Sequence, residues 1–402
     1  MSAQGGSLAV ELREDRYHRQ SLIEWWDQRR VAAARILVVG AGALGNEIVK
    51  LLALIGSGRT LVYDLDRIER SNLSRSVLFR EADEGLPKAE VAVRQLRELN
   101  PDVRGQAVCG NVLASAGLGV FLWADVVIGA VDNREARVFI NSACARTRRT
   151  WVDGAIEGLS GVVRVFSPHT GACYECTMNA TDRKLLAQRR SCALLARDAA
   201  LRGHVPTSAV AASIVGAMEV QEAIKLVHGQ PTLTGEGLHL DGLYGQVSRV
   251  TYPRRGDCAG HEDLGPIVPL GLGVADVTVG ALLSRAEAAL GPGAVLELSR
   301  DVIVRLHCPA CGTSTPGGAV LGAVRESQAA CPRCGAHRAL DLASSIGRDG
   351  HVDLALTPAE LGVPPFDVIV ARQGLERQQA WLFDRDAGPV LGPVAGNEEG
   401  GR

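Results

Sequence analysis

The stretch RILVVGAGALGNEIVKLLALIGSGRTLVYDL, Arg35 to Leu65, decides the fold. Its opening run, Ile36-Leu37-Val38-Val39, is too short for a helix and β-branched enough for a buried parallel strand. Gly40, Gly42 and Gly45 follow as a G-x-G-x-x-G turn, where missing side chains let a phosphate approach the backbone. Asn46 to Ile55 reads as a helix offering free N–H groups and a positive dipole end to that phosphate. Gly56 and Gly58 stop the helix, and Thr60 to Tyr63 makes a second strand that ends on Asp64. That acid stands roughly 20 residues past the glycines, where a ribose hydroxyl would sit. The stretch is a nucleotide cradle, and by itself it suits NAD or FAD about as well as ATP.

Downstream, Lys88 to Leu99 has helical apolar spacing (Val91, Leu96, Leu99), opened by Pro87 and ended by Asn100-Pro101. Val103 to Cys109 and Ala124 to Ala130 read as strands, Glu135 to Arg146 as a helix, and Thr150 to Val152 as a strand. This alternation predicts an α/β fold, a Rossmann-like doubly wound, mostly parallel sheet with ligands at the carboxyl ends of its strands. Gly40 to Gly45, Asp64 and Asp132 all fall at such ends. From Gly161 the pattern changes to strands Val162–Phe166, Leu238–Leu240 and Gln246–Tyr252 around a long helix, Thr207 to His228, which predicts an antiparallel extension. On the N-terminal side, Ser21 to Ala34 reads as an amphipathic helix packing Trp25 and Trp26 on the core.

At 402 residues the chain is long enough for two or three domains. A formal net charge of −2 gives no basic field to recruit nucleic acid. No run of 18 apolar residues suggests a membrane helix, and Met1 to Val10 lacks the pattern of a signal peptide. The expected location is therefore cytoplasmic, with neither nucleic acid nor membrane as partner. Ten cysteines in such a chain point to metal or thiol chemistry before disulfides.

A nucleoside triphosphate in the cradle needs cations for its phosphates and a carboxylate for Mg²⁺. The loop after Asp64 supplies Asn72, Arg75 and Lys88, and the end of a later strand supplies Asp132. A dinucleotide dehydrogenase would not need that set; an ATP-consuming enzyme would. Taken singly, Arg75 and Lys88 also read as loop charges, and Asp132 as the N-cap of the helix after it.

RYHRQ (Arg16–Gln20), VVGAGALG (Val38–Gly45), DLDRIERSNLSR (Asp64–Arg75), the Gly85–Lys88–Ala89 segment, ADVVIGAVDN (Ala124–Asn133), CYEC (Cys173–Cys176) and VGAMEVQEAIK (Val215–Lys225) occur in that order. Together they resemble the ThiF/MoeB/HesA and ubiquitin-activating-enzyme superfamily, which adenylates the C-terminal carboxylate of ubiquitin-fold proteins. The resemblance implies that Gly40, Gly42, Ala43 and Gly45 form the nucleotide turn and that Asp64 holds the ribose. It places Asp66 and Asn133 among the nucleotide contacts, Asn72, Arg75 and Lys88 on the phosphates, and Asp132 on Mg²⁺. Arg19 resembles an arginine that reaches the γ-phosphate from the other subunit, which implies a homodimer with composite sites. Ser76 stands where the family usually has Gln, and Ala43 where it often has Gly; neither change removes a charge.

Thiolates two residues apart, as in Cys173-x-x-Cys176, can grip one Zn²⁺, and a structural site takes four ligands. The resemblance implies a distant second pair, and the matching place reads Cys258-Ala259-Gly260-His261, which predicts a Cys₃His site. Buried unmetallated thiols are the plainer alternative. Cys308-Pro309-Ala310-Cys311 and Cys331-Pro332-Arg333-Cys334-Gly335 have zinc-ribbon spacing on their own account, predicting a second structural Zn²⁺. Cys109 and Cys144 read as core residues. Cys192 follows Arg189-Arg190-Ser191, and neighbouring guanidinium groups favour its thiolate. In the superfamily this region carries the cysteine that accepts the activated modifier; a surface cysteine without a role is the alternative.

The expected organisation is an N-terminal helical arm (1–34) carrying the trans arginine and an adenylation domain with its zinc site (35–261). A connecting segment (262–300), a zinc ribbon (301–345) and a short β-rich tail (346–402) follow. The expected activity is ATP-dependent adenylation of the C-terminal glycine carboxylate of a small ubiquitin-like protein. Thioester formation on Cys192 and transfer to a conjugating-enzyme-like protein would follow. The alternative is activation of a sulfur-carrier protein for thiocarboxylate formation in cofactor biosynthesis.

Overall fold

The computed structural model describes residues 14–184, 206–321, 323 and 329–396; Cys192 lies outside the described residues. Strands β1 (Arg35–Val39), β2 (Arg59–Asp64), β3 (Arg104–Cys109), β4 (Val126–Gly129) and β5 (Trp151–Glu157) pair in parallel in the order β3-β2-β1-β4-β5. Antiparallel strands β6 (Ser160–Phe166), β7 (Glu236–Asp241) and β8 (Gln246–Thr251) extend the sheet beyond β5 to eight strands. Residues 36–39 of β1 and all of β4 are buried, as apolar runs covered on both faces must be. Helices α3 (Ala43–Ile55), α4 (Lys88–Leu99) and α8 (Ala209–His228) cover one face and share a core there. Gly216 of α8 lets α8 approach α3, since a Cβ there would lie 2.9 Å from the Glu47 side chain.

The other face carries α6 (Leu118–Trp123) and α7 (Arg134–Arg146), with α5 (Val112–Ser115) before them. Part of that face is closed by residues far downstream: Phe366, Val368, Leu391 and Val394 join Leu61, Tyr63 and Phe121 in one core. Val368 lies on, and the other three flank, a second sheet of β9 (Ile267–Pro269), β10 (Val295–His307), β11 (Ser314–Val320), β12 (Ala339–Ile346), β13 (Val368–Gln373) and β14 (Arg377–Leu382). The expected connector, ribbon and tail thus share one sheet. The reason is β10, whose 13 residues run across the 300/301 boundary and pair with β11, β12 and β13. Helix α9 (Val279–Leu290) packs on this sheet around Leu282, Leu283, Trp381 and Phe383, and α10 (Ala387–Leu391) follows it.

At the N-terminus the expected single helix over Ser21–Ala34 is instead two short ones, α1 (His18–Ser21) and α2 (Gln28–Ala33). The carboxylate of Asp27 accepts the Arg29 N–H and starts α2 afresh. The backbone N–H of Asp27 donates to His228 Nε2 at 3.0 Å, and Trp25 and Trp26 pack on that ring at 5.2 and 5.4 Å. Tertiary pinning to the end of α8 overrides the helical periodicity. Among the described residues, no helix is long and apolar enough to cross a membrane.

Candidate active site

The three glycines of the first turn do different work. Gly40 has a φ of +102°, and a Cβ on it would lie 2.3 Å from the Ala130 carbonyl oxygen. A Cβ on Gly45 would lie 2.0 Å from the Gly40 carbonyl oxygen, so that position lets α3 pack against the end of β1. Among the described residues a Cβ on Gly42 would meet nothing within 4 Å, so they leave the space above it open. Gly42 is the N-cap of α3 without a side-chain cap, and the first helical bond runs from Asn46 N–H to Gly42 O. The N-terminus of α3 therefore faces that opening with the uncapped polarity that suits an anion.

Asp64, at the end of β2, accepts the Ala41 N–H at 2.6 Å through Oδ2 and the Asp66 N–H at 2.7 Å through Oδ1. Burial pushes its carboxyl above the ordinary value, opposed by the Ala41 hydrogen bond and the Lys88 charge. Lys88 opens α4 with its side chain only 11% exposed, and its Nζ lies 3.0 Å from Asp66 Oδ2. A buried ammonium held by one carboxylate is no solvated loop charge. Asp66 thus holds the lysine in place. Arg75 donates to the Ser71 carbonyl at 2.7 Å, within its own loop. Asn72 is engaged locally, its Oδ1 accepting the Glu69 N–H at 3.0 Å.

At the end of β4, the N-cap of α7 is Asn133, whose Oδ1 accepts the Ala136 N–H at 2.8 Å. Asp132 is therefore not spent on capping. It is exposed and, among the described residues, accepts one bond, from Asn133 Nδ2 at 3.2 Å. Gly42, Asp64, Lys88 and Asp132 accordingly come together at the carboxyl edge of the sheet, on β1, β2 and β4 and the loops after them. Arg19 does not join them. It is 82% exposed on α1, whose neighbour Tyr17 lies against Gly56 at the far end of α3, about 20 Å from the glycine turn by helix rise.

Behind the Asp132 loop lies a buried charge network that sequence reading did not find. Arg137 donates to Asp153 Oδ1 at 2.8 Å, to the Val131 carbonyl at 2.6 Å and to the Gly154 carbonyl at 3.0 Å. Arg164 donates to Asp153 Oδ2 at 3.0 Å. Glu219 of α8 lies over Gly154, fully buried, and among the described residues neither of its oxygens has a well-formed hydrogen bond. Burial, and next the charge of Asp153, push the Glu219 carboxyl well above its ordinary value, against the pull of Arg137. An arginine on an otherwise buried helix face was the available signal in the sequence.

Both cysteine clusters are assembled. Four donors at about 2.3 Å around a tetrahedral ion stand about 3.8 Å apart. In the first cluster Cys173 Sγ lies 3.8 Å from Cys176 Sγ and 3.7 Å from Cys258 Sγ, and Cys176 Sγ lies 3.1 Å from His261 Nε2. His261 Nδ1 is 2.7 Å from the Pro168 carbonyl, which fixes the tautomer that turns Nε2 toward the sulfurs. Asn141 Oδ1 accepts the Tyr174 N–H and holds the Cys173–Cys176 turn. In the second cluster Cys308 and Cys334 are 3.5 Å apart, and Cys311 and Cys331 are 3.6 Å apart. Each half is a knuckle closed on a left-handed glycine, Gly312 at +69° and Gly335 at +73°. Both donor sets suit zinc. Of the cysteines expected in the core, Cys144 is buried, but Cys109 is exposed at the tip of β3 beside Glu90, because that strand end faces solvent.

Residues 16–260 match the ThiF family, and the chain belongs to that family. The sulfur carrier protein adenylyltransferase of Thermus thermophilus is 34% identical over 253 residues, covering 61% of this chain and 89% of that one. The SAMP-activating enzyme E1 of Haloferax volcanii is 34% identical over 254 residues, covering 61% and 87%. Among solved structures, Escherichia coli MccB with ATP superposes with a TM-score of 0.52 at 21% identity, over 63% of this chain and 75% of that one. That likeness speaks to the fold. The second sheet and its cysteine cluster lie beyond the family match.

Proposed function

We propose that this chain uses ATP to adenylate the C-terminal carboxylate of a small ubiquitin-fold protein. The observation that carries the reading is the convergence of an open, uncapped helix N-terminus, half-buried Asp64, buried Lys88 and an uncommitted Asp132 at one sheet edge. In this reading Gly40, Gly42, Ala43 and Gly45 cradle the phosphates, Asp64 takes the ribose, and Asp66 and Asn133 orient Lys88 and Asp132. Asp132 would hold Mg²⁺, which supplies charge neutralisation at the phosphates. The glycine tail suits the site because a narrow approach leaves no room for side chains. Its carboxylate attacks the α-phosphorus as the bond to the β-phosphate breaks. Arg75, Lys88 and the partner subunit's Arg19 take up the charge on departing pyrophosphate, with Asn72 fixing the loop of Arg75.

The acyl-adenylate then reacts with Cys192 to give a thioester and AMP, and passes to a conjugating-enzyme-like protein. The far placement of Arg19 from its own glycine turn supports the composite homodimeric site. Residues 35–261 form the adenylating unit behind the 1–34 arm, and both cysteine clusters hold Zn²⁺. A second reading, thiocarboxylate formation on a sulfur carrier, is favoured by the Thermus relative; the added second sheet favours conjugation. ATP–pyrophosphate exchange dependent on the carrier protein tests the first step. Asp132→Ala is expected to abolish it, whereas Cys192→Ala spares it and loses only a thiol-cleavable adduct. Absence of carrier-dependent exchange in the unaltered chain overturns the adenylation reading.

A further inference from the structure

We propose that Arg300, in the second sheet beyond the family match, is a positioning residue for nucleotide binding. The inference rests on the reading of Asp64 as the ribose acid. Arg300 lies midway along β10 with its side chain 9% exposed. It crosses into the first sheet's territory and grips the chain leaving β3. Nη1 donates to the Leu113 carbonyl at 2.8 Å and Nη2 to the Ala116 carbonyl at 2.6 Å. Two planar arms on two carbonyls fix the course of a backbone, and no point charge reproduces that fork.

The segment so gripped borders the nucleotide side of the sheet. Asp64 and Cys109 are register partners at the ends of β2 and β3, and Gly110 N–H donates to the Asp64 carbonyl at 3.0 Å. Residues 110–117 therefore flank the ribose acid on the side away from the glycine turn. Further along, Leu118 N–H donates to Asp367 Oδ1 at 2.7 Å and Gly119 N–H to the Phe366 carbonyl at 2.8 Å. Asp367 is itself 3.8 Å from Arg300 and accepts the Ser299 hydroxyl at 2.5 Å. The guanidinium also lies 5.0 Å over the ring of Phe139, on α7, the helix whose N-terminus carries Asp132 and Asn133. One buried arginine thus braces the loop beside Asp64 and the helix behind Asp132. The second sheet is a wall of the nucleotide site's support, and its ribbon starts from the strand that carries the brace.

The test is calorimetric ATP affinity on the full chain, with a melting curve for each variant. Arg300→Lys keeps the charge but loses the fork, and is expected to weaken ATP binding about tenfold. Asp367→Asn, which keeps the shape, is expected to weaken it several-fold. Leu283→Ala, in the second sheet's own core, is the control for a merely structural loss: it melts lower with ATP affinity unchanged. ATP affinity equal to the unaltered chain in Arg300→Lys overturns the inference, as does an equal loss in Leu283→Ala. If Arg300→Lys does not fold, the Asp367→Asn affinity decides in the same way. An unaltered chain that does not bind ATP removes the nucleotide reading itself, and the inference with it.

Discussion

Glu219 gives the most quantitative prediction. Among the described residues its carboxyl is fully buried over Gly154 without a well-formed hydrogen bond, and Arg137, the one cation there bearing closely on it, is already paired with Asp153. An ionised carboxylate there would be uncompensated, so the folded chain holds the proton that the unfolded chain releases near pH 4.5. A raised folded value means that the native state binds more protons than the unfolded one above that pH. Stability from this group is therefore complete below pH 4.5 and falls as pH rises toward the folded value, by about 1.4 kcal/mol per pH unit. Glu219→Gln has the same shape and nothing to titrate. The variant should match the natural chain near pH 5 and exceed it progressively as pH rises, the gap widening by about 1.4 kcal/mol per unit until the pH reaches the folded value and flattening beyond it. Urea unfolding at four pH values between 5 and 8, followed by circular dichroism, measures that gap. Parallel stability curves for the two proteins would refute the neutral-carboxyl argument. A variant less stable throughout would show that the carboxylate is ionised and useful to Arg137.

The glycine turn separates folding from binding. Gly45→Ala drives a methyl into the Gly40 carbonyl and should unfold or strongly destabilise the chain, whereas Gly42→Ala meets nothing among the described residues and should melt like the natural protein. Gly42→Ala should nevertheless bind ATP much more weakly, because its methyl stands where a phosphate must approach; equal affinity would displace the nucleotide from this turn. Metal analysis of purified protein should find two zinc ions per chain, one for each donor set, and one after either Cys173→Ser or Cys308→Ser. Because His261 is held toward the sulfurs by Pro168, His261→Ala should lower zinc affinity at the first site alone, read by competition with a chelator dye.

Sequence by itself determined the parallel sheet, its glycine turn and the C-x-x-C pairs of both cysteine clusters, while Cys258 and His261 came from the family resemblance. Those signals are local: a buried strand declares itself by an unbroken apolar run, a phosphate turn by glycine spacing, and a zinc knuckle by C-x-x-C. Tertiary structure decided what depends on residues far apart in the chain. Lys88 turned out buried because Asp66, 22 positions earlier, receives its ammonium. Asp132 was left uncommitted because Asn133 caps α7, and Cys109 was exposed because β3 ends in solvent. The tryptophans of the arm broke a helical pattern to reach His228. Three segments read as connector, ribbon and tail became one sheet, since strand pairing satisfies backbone groups with whichever strand packing brings alongside. Arg300 and Glu219 look in the sequence like any other charges; only burial, which is a property of the whole fold, turns one into a brace and the other into a proton holder.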